Sequence, residues 1–95
     1  MNILAQLLAD RRTRRTEDNV ERLRKDIAQH DADQTYHARM TGFYSEEMSA
    51  LDPYTSPESA QRFATTFKKQ QDSFADMEAA AARSREANAK LAALA

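Results

Sequence analysis

The sequence predicts an all-α protein, a long antiparallel two-helix hairpin of coiled-coil type, with helix 1 over about 3–51 and helix 2 over about 57–94. Three observations carry this. Good helix formers (Ala, Glu, Arg, Gln and Lys) dominate, β-branched residues are few, and there is one glycine in 95 residues. A single stretch reads as a firm break, Asp52-Pro53-Tyr54-Thr55-Ser56-Pro57-Glu58. On both sides of it, residues suited to a helix seam recur with a seven-residue period.

Helix 1 begins where Asn2 can cap Ile3. Ile3, Leu4, Leu7 and Leu8 form an apolar stripe at helical spacing, followed by Arg11-Arg12-Thr13-Arg14-Arg15, which has no apolar residue. From Thr13 the repeat runs through Thr13, Val20, Ile27, Gln34, Thr41 and Met48, alternating with Thr16, Leu23, His30, His37, Tyr44 and Leu51. Gly42 lies off this seam. It costs about 1 kcal/mol against alanine in a helix interior and is expected to mark a bend or a close backbone approach. Tyr36, Met40 and Phe43 form a second stripe beside the seam. Either a further helix packs there, or the seam drifts onto these residues in place of His37 and Thr41.

Proline cannot continue a helix and disfavours helical backbone before it, so helix 1 should stop at Leu51 or Asp52. Ser56, Pro57 and Glu58 then supply a capping hydroxyl, a residue suited to the first helical position and a carboxylate for the positive helix end. The helix 2 seam is expected at Ala60, Phe67, Phe74, Ala81, Asn88 and Ala95, alternating with Phe63, Gln70, Met77, Ser84 and Leu91. Folding back about loop 52–58 sets Met48 on Phe63, Tyr44 on Phe67, Thr41 on Gln70, His37 on Phe74, Ile27 on Ser84 and Val20 on Leu91. Helix 2 then runs out opposite Thr16. Residues 1–95 form one domain, with 1–15 as a helical extension that has no partner in the chain.

Charge is nearly balanced overall but unevenly placed. Arg11–Lys25 holds seven basic and three acidic residues, and Asp26–Glu58 one basic and seven acidic. Such asymmetry bears on partner choice and orientation. With no cysteine there is neither a disulfide framework nor a thiolate metal site, and a cytoplasmic location is expected. The opening apolar run is too short for a membrane span and no positive residue precedes it, so neither a span nor a signal peptide is expected.

His30, Asp33 and His37 share a helix face, but the two imidazoles are two turns, ~10 Å, apart, too far for one ion. No metal and no cofactor is expected. Catalysis needs convergent groups in a concave, partly dry site, which a two-helix rod lacks, so the chain is not expected to be an enzyme. The expected function is binding to other protein, as a homodimer or a hetero-complex, through Ile3, Leu4, Leu7, Leu8, Tyr36, Met40 and Phe43. A rival of another class is a small regulator that binds nucleic acid or a transcription factor through the 11–25 segment, with Arg11, Arg12, Arg14 and Arg15 as anion-binding residues. Against it, no aromatic residues interleave for base stacking. An inhibitor protein from a phage or mobile element is a third alternative.

Around the loop, Pro53, Pro57, Phe63 and Phe67 resemble the needle subunits of bacterial type III secretion systems, in which a short proline-containing loop joins two helices. The Pro-x-x-x-Pro spacing here is longer by one than in needles, and Leu91–Ala95 lacks their bulky end. The opening Leu4-x-x-Leu7-Leu8-x-x-Arg11-Arg12 and the aromatic, acidic stretch from Tyr36 to Glu47 resemble the stalk protein family of flagellar and injectisome export. That resemblance implies a coiled coil that engages an export ATPase and gate. The two together make a component or accessory factor of a bacterial secretion apparatus the leading specific expectation.

Overall fold

The computed structural model describes residues 2–94. They form two helices, α1 (Ile3–Ala50) and α2 (Pro57–Ala93), folded back on one another into a rod of 84 × 17 × 13 Å. Both helix starts carry the expected caps. The Asn2 side chain accepts the Ala5 N–H at 3.3 Å, and the Ser56 hydroxyl accepts the Ser59 N–H at 3.1 Å with Pro57 and Glu58 in the first turn. At the far end of α1, Leu51 N–H donates to the Met48 carbonyl. Asp52 then closes the turn with both its oxygen types: its carboxylate accepts the Tyr54 N–H at 2.9 Å and its carbonyl the Thr55 N–H at 3.3 Å.

α1 buries the expected seam from Val20 to Leu51, whereas Thr13 and Thr16 are exposed. His37 and Thr41 stay inside the seam, so it does not drift onto Tyr36 and Phe43. α1 is one continuous helix through Gly42, and a Cβ built there would meet nothing within 4 Å. No close approach within the chain therefore explains this glycine.

α2 departs from expectation. Phe63, Gln70, Met77, Ser84 and Leu91 do face α1, but the alternating set is Ser59, Thr66, Ser73, Ala80 and Ala87. Phe67 and Phe74 are left 47% and 44% exposed, Ala60 and Asn88 are exposed too, Ala81 is half-buried, and Ala95 lies outside the described residues. The difference is a rotation of α2 by ~50°, from i, i+4 to i, i+3 neighbours of the shared set. The physical reason lies in α1. Its seam is bulky, with Leu23, Ile27, His30, His37, Tyr44 and Met48, and small residues opposite let the two backbones close on it. Accordingly, five of the six buried residues are small ones on α2 (Thr66, Ser73, Ala80, Ser84 and Ala87), and Leu23 is the sixth.

The register also moves, by about one turn. Gln70 donates to Ser45 and Ser84 donates to Asp31 at 2.6 Å, whereas the expected partners were Thr41 and Ile27. The two contacts are two heptads apart on both helices, so one register holds between them. His37 consequently does not sit on Phe74.

Candidate interaction surfaces

Residues 2–18 are all exposed, because α2 ends before reaching them. Ile3, Leu4, Leu7 and Leu8 therefore stand on a bare helical arm. Carried back by sevens, the line on which α2 packs runs through Thr16, Thr13, Ala9, Gln6 and Asn2, which are small or polar. The four apolar residues lie off that line and mostly on the far side of the helix. A longer α2 would not cover them. A covering element would have to approach from the opposite side.

Tyr36 and Phe43 are 58% and 51% exposed, and Met40 between them is half-buried at the seam edge. Met40 precedes seam residue Thr41 by one, whereas Asp31 and Ser45 follow seam residues by four. The stripe thus occupies the flank of α1 opposite the one that bonds Ser84 and Gln70. Phe67 and Phe74 follow Phe63 and Gln70 by four and share the flank of Asp31 and Ser45. The rod accordingly carries aromatic side chains on both broad faces. Two further apolar residues, Tyr54 at the loop tip and Leu94 at the end of α2, are exposed. Sequence reasoning missed Phe67 and Phe74 as surface residues. The signal was present, since Ser59, Thr66, Ser73, Ala80 and Ala87 form an equally regular small-residue repeat that complements bulky α1.

Arg11, Arg12, Arg14 and Arg15 are exposed. Among the described residues the ion pairs are Glu21–Lys25 and Glu86–Lys90, each within one helix at 3.4 Å, and none involves these arginines. Thr13 and Thr16 turn their hydroxyls back onto the carbonyls of Ala9 and Arg12, and the four guanidinium groups share the arm with the exposed carboxylates of Asp10, Glu17 and Asp18.

The seam holds His30 and His37 two turns apart, and Nδ1 of His30 is buried without a hydrogen-bond partner. Asp33 accepts from the Gln29 side chain at 2.9 Å. Among the described residues, no group of three His, Cys, Asp or Glu side chains is placed to hold a metal ion. Among the hollows between the helices are two open grooves, one beside the loop lined by Glu47, Leu51, Glu58, Arg62, Thr66 and Lys69, another along Gln34, Met77, Ala81 and Arg85. No described helix is long and apolar enough to cross a membrane.

Fold and surface together define a class: an antiparallel helical hairpin with a single-helix overhang and unpartnered apolar stripes. Comparison with protein-family models, curated proteins and solved structures found no match to this chain.

Proposed function

We propose that the chain works by associating with protein through its helical faces rather than by catalysis. One observation carries the reading: Ile3, Leu4, Leu7 and Leu8 form an apolar face on an arm that none of the described residues covers. Large contiguous apolar faces are costly to expose to water and are generally covered in use. Open grooves along the rod suit a helical partner better than a substrate that must be desolvated. The test is purification of the wild type and of Leu4→Glu/Leu7→Glu from their own host, with mass measured by light scattering. The wild type is expected in a stoichiometric assembly that the variant loses. A wild type that elutes alone as a folded monomer overturns the reading.

The narrower version, a component or accessory factor of a bacterial secretion apparatus working in the cytoplasm, is supported by the residues around the loop and along the arm that resemble those families. It expects secretion proteins among the assembly members. A second reading has its own observation, the four exposed arginines that no ion pair among the described residues involves. If they hold nucleic acid, binding should fall steeply with salt and vanish when all four become glutamine.

A further inference from the structure

Away from the α2 seam, α1 has a definite order. It is apolar at Ile3–Leu8 and basic from Arg11 to Lys25, then carries Asp26 and Asp33 on the flank of Met40, and is apolar again at Tyr36 and Phe43, with Arg39 between them. Between Asp26 and Ala38 there is no lysine or arginine, and the third aspartate there, Asp31, is bonded to Ser84 on the opposite flank. Such an order is complementary to itself when reversed. We propose that the uncovered face of α1 is occupied by a second copy of this chain, with α1 lying antiparallel on α1 about a two-fold axis near Leu23. This rests on the protein-association reading above and names the partner.

The axis follows from spacing. The centres of the arm stripe and of the Tyr36–Phe43 stripe lie about equally far from Leu23, each ~25 Å along the helix. A two-fold axis there brings each arm onto the aromatic stripe of the other copy, so both apolar faces are covered by one contact of about eleven turns. Arg12 then comes level with Asp33 of the copy, on the flank that also carries Met40. A parallel pair would instead stack Arg11–Arg15 on their own counterparts, which like-charge repulsion disfavours. An anionic lipid surface would take the leucines and arginines of the arm, but it would repel Asp26 and Asp33 and leave Tyr36 and Phe43 uncovered.

Gly42 supplies an independent observation. It is exposed, lies in mid-helix, and no atom of its own chain outside the helix turn approaches the position of its missing side chain. In the antiparallel pair it is level with Ile3 and Leu4 of the copy. Its bare backbone is the place where the incoming arm comes closest.

Sedimentation equilibrium on the full chain tests this, with circular dichroism to confirm that each variant keeps its helices. The wild type is expected to be dimeric. Leu4→Glu, Gly42→Gln, Arg12→Asp and Asp33→Arg should each raise the dissociation constant, the charge reversals by roughly tenfold because every substitution acts twice in a two-fold pair. Arg12→Asp and Asp33→Arg in one chain should restore the dimer, which a merely structural effect would not do. A folded wild type that stays monomeric at hundreds of micromolar overturns the proposal, as does a dimer that Arg12→Asp strengthens, the sign of parallel pairing. Monomer that binds phosphatidylglycerol vesicles through the arm overturns it in favour of a lipid surface. A monomer that holds a different protein by the arm overturns this inference alone and leaves the association reading standing.

Discussion

Two residues in α1 carry a local cost that the hairpin itself does not repay. Gly42 forfeits helix propensity without supplying a turn or a close contact inside the chain. Gly42→Ala should therefore raise the stability of the isolated hairpin by up to ~1 kcal/mol, read as a higher urea midpoint at concentrations too low for self-association. An unchanged or lower midpoint would mean that the backbone at Gly42 departs from ordinary helix. His30 buries Nδ1 without a partner at a seam position next to small α2 residues. An unbonded buried polar atom costs ~1–3 kcal/mol, and methionine fills a similar space with flexible apolar atoms and a better helix propensity. His30→Met should stabilise the hairpin by about 1 kcal/mol. A loss of stability on that substitution would show that the ring is satisfied after all, by a solvent molecule.

At the scale of the helices, the informative feature is the orientation of α2. Ala80 is completely buried against α1 whereas Phe74 is 44% exposed. Enlarging a residue in a tight seam forces the backbones apart, at a typical cost of ~1–3 kcal/mol. Ala80→Leu should thus lower the urea midpoint clearly, and Phe74→Gln should lower it less. The opposite ranking would place Phe74 in the seam and rotate α2 back by ~50°. The contact between Asp31 and Ser84 belongs to the same scale. Ser84 donates to the Asp31 carboxylate, and its hydroxyl and carbonyl lie 3.5 and 2.9 Å from the Asn88 amide nitrogen. With Ser45 and Gln70, these side chains tie the helices at two levels. Polar ties of this kind discriminate between registers that a repetitive Ala-rich surface would otherwise leave nearly equal.

For the whole molecule, the division of labour runs along the rod axis. Residues from Val20 onward pair with α2, and residues 2–18 contribute no seam contact. Deleting 1–15 should leave the hairpin folded, with an unfolding midpoint in dilute solution close to that of the intact chain and helical ellipticity reduced by the lost arm. Collapse of the remaining hairpin would show that the arm supports the seam. α1 has one face against α2 and one uncovered face, and its basic run Arg11–Lys25 followed by a stretch with no lysine or arginine up to Ala38 makes its charge uneven along the rod. That arrangement suits partner selection, since steering and orientation depend on where charges lie rather than on their total.

Much of this was legible in the chain alone. The break at Asp52–Glu58, both caps, the α1 seam from Val20 to Leu51 and the overhanging arm all follow from local chemistry: proline geometry, capping side chains and a seven-residue repeat. The exposure of the apolar stripe on the arm was legible for the same reason, because residues beyond the reach of helix 2 can be counted off the sequence. The orientation of α2 was not. Two repeats, one through Phe67 and Phe74 and one through Thr66, Ser73 and Ala80, share every other position, and hydrophobicity favours the first. Only the tertiary structure decides between them, because the choice depends on how much room bulky α1 leaves. That is a property of two surfaces in contact and of neither helix by itself.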